Sequence, residues 1–133
     1  MIIVVEDEPT INELICNVLT DEGYTALGCS GEDEALSLIT TYHPDLVITD
    51  LLLGEGQSGV SLLNTMHIHA TTTDIPVLIC SCALGLLQEI KDDVQSANYA
   101  LLEKPFNIDD LIAGVQAALS DTLRDRPLLS LVV

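Results

Sequence analysis

At 133 residues, with 21 acids against four basic residues and a formal net charge of −17, the chain has the size of one small domain and cannot neutralise a polyanion. Nucleic acid and anionic membrane surfaces are therefore not expected partners. Asp50 interrupts the longest apolar stretch, no run reaches the ~20 residues of a membrane span, and no basic prefix precedes the opening apolar run, so a cytoplasmic location is expected.

In chain order, strand and helix patterns alternate. Met1–Val5 is a continuous apolar run, as in a strand buried on both faces. Pro9 suits a first helical turn, and Ile11, Leu14, Ile15, Val18 and Leu19 form one apolar stripe that Gly23 terminates. Tyr24–Cys29 reads as a short strand. Ser30 is the expected cap of a second helix, with Asp33 three residues on and Ala35, Leu38 and Ile39 facing inward; Pro44 stops it before the strand Leu46–Thr49.

Gly54–Gln57 reads as a loop, and Ser58 opens a third helix reaching about His69. Ile75–Ser81 is the fourth strand, with Pro76 tolerable near its start. Leu86–Ala97 is the weakest helix, with only Leu87, Ile90 and Val94 as an inner face. Tyr99–Leu102 is the fifth strand, and Ile108, Leu111, Ile112, Val115 and Leu119 mark a final amphipathic helix. Alternating elements joined by short loops predict an α/β fold, a doubly wound parallel sheet flanked by helices. The expected organisation is one domain over 1–120 and a C-terminal tail over 121–133. In that tail the apolar run Leu128–Val133 follows Pro127 and is expected to fold back, join a sheet edge or pair with a second chain as an arm-type homodimer.

Chemistry concentrates at the strand ends. Glu6 and Asp7 close the first strand, Asp50 closes the third, and Lys104 follows the fifth, directly before Pro105. In a doubly wound sheet these ends share one crevice. Acids gathered there need a cation, and a lysine beside them can hold an anion, a combination pointing to magnesium-assisted phosphoryl chemistry. Taken singly, Glu6, Asp7 and Glu8 also suit the positive end of a helix dipole, which is the preferred reading of Glu8. Asp50 alone could be a solvated loop acid, and Ser81 a strand-end hydroxyl. Lys104 is less easily set aside, because it is one of two lysines and stands at a strand end.

Cys80 and Cys82 flank Ser81, and His67 and His69 are likewise two apart, but no second pair stands at zinc spacing. Free thiols, with Cys16 in a helix and Cys29 at a strand end, are the expected state of the cysteines.

The segments Val4-Val5-Glu6-Asp7-Glu8-Pro9, Pro44-Asp45-Leu46-Val47-Ile48-Thr49-Asp50, Ile75-Pro76-Val77-Leu78-Ile79-Cys80-Ser81 and Lys104-Pro105-Phe106 resemble the receiver domain of two-component response regulators, over roughly residues 1–120. The resemblance implies a (βα)5 flavodoxin-like fold with strand order 2-1-3-4-5. It also implies a phosphoacceptor signalling role rather than an enzyme in the ordinary sense, with a histidine kinase or histidine phosphotransfer protein as partner. Asp50 would accept the phosphoryl group. Asp7 would ligate Mg²⁺ with Glu6 assisting, joined by Asp50 and the backbone carbonyl of Leu52. Ser81 would hydrogen-bond the phosphoryl group and Lys104 would hold one of its oxygens.

The chain departs from the family pattern in places. Glu6 stands where aspartate is commoner, and the loop after Asp50 lacks the usual methionine-proline and is one residue longer. Ser81 replaces the commoner threonine. Leu101 occupies the place of a switching aromatic, with Tyr99 on the same side of the strand. No output domain is visible in the sequence, so signalling is expected to pass through surface contacts or through domains outside it. Two other classes fare worse: a nucleotide binder would be repelled by Glu6-Asp7-Glu8, and an aspartate-nucleophile phosphatase needs an acid where Leu52 stands. A receiver-like interaction module that is never phosphorylated is the remaining alternative.

Overall fold

The structure, a computed structural model, describes residues 1–50, 59–81 and 99–120. The predicted helix over 86–97, the loop containing Leu52 and the tail over 121–133 lie outside the described residues. Within them the order is β1 (Ile2–Val5), α1 (Pro9–Asp21), β2 (Ala26–Cys29), α2 (Glu32–Tyr42), β3 (Leu46–Thr49), α3 (Gly59–Ile68), β4 (Val77–Ser81), β5 (Tyr99–Glu103) and α4 (Ile108–Leu119). The five strands form one sheet in the order β2-β1-β3-β4-β5, with every neighbouring pair parallel. This is the predicted doubly wound, flavodoxin-like arrangement.

The register follows from burial. Every residue of β1 and β3 is buried, because helices cover both faces of a parallel sheet and an uninterrupted apolar run is the only pattern that fits. The two strands pair from Ile2 with Leu46 to Val5 with Thr49. Edge strand β2 is only half covered, and its sequence is correspondingly mixed. From β1 the chain moves outward to β2 and then returns past β1 to β3. The strand order therefore reverses between β1 and β3, and it is at the carboxyl ends of such a pair that a doubly wound sheet has its crevice.

The helices differ from expectation in detail. In α1, Ile15, Val18 and Leu19 are buried while Leu14 is 52% exposed, since it borders the stripe and opens onto a groove facing α4. Helix α2 is capped at Gly31 without a side-chain hydrogen bond, so Ser30 is not its cap. Glu32, Asp33 and Glu34 in its first turn complement the helix dipole instead. Its far end closes at His43, in the left-handed region at φ 49°, immediately before Pro44. Helix α4 begins with a capping box, in which Asn107 and Asp110 each accept from the other's backbone N–H. It buries Leu111, Val115 and Ala118.

Strand ends also shift. Tyr24 and Thr25 precede β2, and Pro76 precedes β4 while its carbonyl still accepts from Val47 N–H at 3.0 Å. Cys16, Cys29 and Cys80 are free thiols, and burial pushes those of Cys29 and Cys80 up to about 12. Among the described residues no helix is long and apolar enough to cross a membrane.

Candidate functional site

The end of β1 does not stop at Val5. Glu6 N–H donates to the Cys29 carbonyl at 3.0 Å, extending the ladder to β2 by one residue and turning the Glu6 side chain into the protein, where the residue is 5% exposed. One carboxylate oxygen of Glu6 accepts from Glu8 N–H at 3.3 Å. Asp7, the next residue, is exposed on the crevice rim. Glu8 is the N-cap of α1 and accepts from Thr10 N–H at 3.4 Å, which matches its expected structural role.

Asp50 is fixed from the other side of the crevice. Its N–H donates to the Val5 carbonyl at 3.2 Å, and its carbonyl accepts from the Thr49 hydroxyl at 3.0 Å. The residue is 9% exposed. Lys104 arrives from beyond β5 and precedes Pro105 across a cis peptide bond. Its Nζ stands 2.7 Å from Asp50 Oδ2 and 3.3 Å from Glu6 Oε2. The backbone of Ser81 ends β4 opposite Glu103, one residue before Lys104. Leu52 falls outside the described residues.

Two carboxylates thus share one ammonium. Burial raises the Glu6 carboxyl pKa above its ordinary value, and the nearby Lys104 and the Glu8 N–H only partly offset this. For Lys104 burial pulls downward, but the hydrogen bond to Asp50 and the charges of Asp50 and Glu6 outweigh it and raise the ammonium pKa. Lys104 is therefore a fixed positive charge over Asp50 throughout the neutral range.

The donor set suits a hard divalent cation. Among the described residues no three His, Cys, Asp or Glu side chains converge into a closed cage. Magnesium does not require one, because it keeps several waters and takes one or two carboxylates together with phosphate oxygens. Exposed Asp7 at the end of β1 and buried Glu6 and Asp50 beside Lys104 are the carboxylates at this edge of the sheet that could serve as oxygen ligands of that kind.

Sequence reasoning missed two residues beside this site. Asn12, half-buried on α1, donates through Nδ2 to the carbonyls of Glu6 and Cys29, each at 3.0 Å. Gly28, in the middle of β2, faces it: a Cβ at Gly28 would lie 2.1 Å from Asn12 Oδ1. A glycine inside a strand is the signal that could have revealed this close approach. A separate apolar groove of about 320 Å³ runs between α1 and the start of α4, lined by Ile11, Leu14, Phe106, Ile108 and Leu111 and reaching Lys104.

Residues 2–116 match the family profile of the response regulator receiver domain. The nitrogen assimilation regulatory protein NtrX of Azorhizobium caulinodans is 35% identical over 126 residues, covering 94% of this chain and 27% of the relative. The phosphate regulon transcriptional regulatory protein PhoB of Escherichia coli K12 is 30% identical over 118 residues, covering 89% of this chain and 51% of the relative. The chain thus spans between about a quarter and a half of the length of these curated relatives. The crystal structure of the receiver domain of NtrX from Brucella abortus superposes with a TM-score of 0.76 at 31% identity, covering 90% of this chain and 98% of that one. With the fold, the crevice and these likenesses in agreement, the chain belongs to the response regulator receiver domain family of two-component signalling.

Proposed function

We propose that residues 1–120 act as the phosphoacceptor unit of a two-component phosphorelay, with Asp50 taking a phosphoryl group from a histidine kinase or histidine phosphotransfer protein. The observation that carries this reading is the 2.7 Å contact between Lys104 Nζ and a nearly buried Asp50 at the point where the strand order reverses. An Asp50 carboxylate oxygen attacks phosphorus, the donor's P–N or P–O bond breaks, and its electron pair leaves with the donor. Lys104 holds a phosphoryl oxygen by charge, and Ser81, at the end of β4, is proposed to donate a hydrogen bond to it. Asp7, Glu6, Asp50 and the Leu52 carbonyl would hold Mg²⁺, which when bound neutralises charge on the phosphoryl oxygens.

A protein donor fits the surroundings. The apolar groove between α1 and α4 ends at Lys104, so a partner helix seated there lies beside the acceptor. Leu14 and Ile108, both about half exposed, would anchor it. The strongly acidic charge continues to argue against this segment itself gripping nucleic acid. Residues 121–133 are assigned as a tail outside the phosphoacceptor unit, with homodimer formation its proposed role.

The deciding experiment is incubation with acetyl phosphate and Mg²⁺ followed by intact mass. One phosphate on the wild-type chain and none on Asp50→Asn is the expected result. Equal labelling of both proteins would place the acceptor elsewhere, and no labelling of either would favour an interaction module that is never phosphorylated.

A further inference from the structure

We infer that Asn12 is a positioning residue for the Glu6–Asp7 acid pair and that Gly28 is the space it requires. This rests on the proposed binding of Mg²⁺ by that pair. Both protons of the Asn12 amide are used: one goes to the Glu6 carbonyl and one to the Cys29 carbonyl, each at 3.0 Å. Of the two ends of the amide only the –NH₂ can donate to carbonyls, so the orientation of the amide is fixed by chemistry. The Glu6 carbonyl belongs to the peptide joining the two acids, and holding it sets the plane from which the Asp7 side chain departs. The Cys29 carbonyl also accepts from Glu6 N–H at 3.0 Å. Helix α1, the end of β1 and the end of β2 are thereby tied at one point.

The remaining amide atom is occupied as well. Asn12 Oδ1 accepts from the Cys16 thiol at 3.5 Å, one helical turn on, which keeps the side chain over β2 rather than in solvent. There it fills the space where any other residue at position 28 would place its Cβ, 2.1 Å from Oδ1 and 3.0 Å from Cγ. A glycine in a strand interior is unfavourable on its own account, and here the close approach explains it. The Glu6 carboxylate is held by Lys104 and Glu8 N–H, and exposed Asp7, the next residue, takes its backbone direction from this same peptide.

Groups that hydrogen-bond a metal site from behind typically change metal affinity by about 10- to 100-fold when removed. The test is isothermal titration of the full chain with Mg²⁺ alone, before any phosphodonor is added. Wild type, Asn12→Ala, Gly28→Ala and the double variant are compared, with Asp7→Ala as the control that removes a ligand. Asn12→Ala and Gly28→Ala should each weaken Mg²⁺ binding by about tenfold, and the double variant should be no weaker than either, because both changes displace the same amide. Metal-free melting supplies the second readout. Gly28→Ala should lower the melting temperature in the wild-type background and raise it in Asn12→Ala, where the space is free and an alanine restricts the unfolded chain. Should Asn12→Ala fail to fold, Asn12→Leu, which keeps the volume and the helix, takes its place.

Wild-type affinity in Asn12→Ala, with Asp7→Ala binding nothing, overturns the role of Asn12 and leaves the metal reading standing. Additive losses in the double variant, or melting shifts of the same sign in both backgrounds, overturn the link to Gly28. Absence of Mg²⁺ binding in the wild type overturns both readings.

Discussion

Lys104 reaches Asp50 from 54 residues away and closes to 2.7 Å, spanning β4 to place an ammonium over the end of β3. Removing that charge leaves two acids facing each other in a largely buried crevice. Lys104→Met should therefore destabilise the fold by on the order of 3 kcal/mol, as expected when one partner of a buried pair is lost. Because the folded-state pKa of Lys104 is raised, its contribution is fully present below its ordinary value of 10.5 and is lost as pH climbs through the folded value. Lys104→Arg should restore most of the stability but little of the acetyl phosphate labelling, since the larger planar head cannot occupy the same point. Full labelling in Lys104→Met would remove the lysine from the chemistry.

The two neighbouring acids at the start of α1 should separate cleanly. Mg²⁺ is expected to raise the melting temperature of the wild-type chain, and Asp7→Ala to abolish that rise. Glu8→Ala should leave that increment intact and lower the metal-free stability by about 0.5 kcal/mol, the low end for an N-cap, because its bond to Thr10 is long at 3.4 Å. Thermal melts with and without Mg²⁺ measure both quantities. Loss of the Mg²⁺ increment in Glu8→Ala would move the metal site one residue along the chain.

Glu6 sets a pH dependence of its own. Burial raises its carboxyl pKa above 4.5, so the folded chain holds the proton to a higher pH than the unfolded chain does. Stability from this group is consequently present at low pH and lost as pH rises through the window above 4.5. In metal-free buffer Glu6→Gln, which keeps an acceptor for Glu8 N–H and leaves Lys104 paired with Asp50, should melt higher than wild type at pH 7. The advantage should vanish as pH falls below 4.5, where both proteins are neutral at this position. A difference that grows toward low pH would reverse the assignment.

The sheet and its order were legible because two-sided burial leaves an unambiguous mark: the runs ending at Val5 and Thr49 have nowhere to go but the middle of a parallel sheet. The meeting of Glu6, Asp50 and Lys104 followed, since the strand ends share one edge of the sheet. Caps were less legible. Ser30 has the chemistry of a cap, yet Gly31 takes the position, and the acids Glu32–Glu34 perform the electrostatic part of the task without a side-chain bond. Leu14 fits the apolar period but borders the stripe, and periodicity cannot tell a buried flank from one that lines a groove. Asn12 and Gly28 were hard to read for a different reason: a glycine inside β2 signals a close approach, but its partner sits on a helix and nothing in the sequence names it.

The groove beside Lys104 carries the last prediction. Leu14 and Ile108 are exposed at 52% and 51%, line the same groove of about 320 Å³, and adjoin Asp50 through Lys104. Acetyl phosphate has no use for that surface, whereas a protein donor must press a helix against the domain to bring its phosphohistidine into line. The double variant Leu14→Glu, Ile108→Glu places two charges at the centre of such a contact, where losses of 2 kcal/mol or more per anchor are typical of interfaces, so roughly a tenfold effect is a conservative expectation. With a histidine kinase chosen because it labels the wild-type chain, the ratio of kinase-driven to acetyl-phosphate-driven labelling should fall by at least about tenfold. The ratio cancels any change in Asp50 itself, and an unchanged value would show that the donor approaches over a different face.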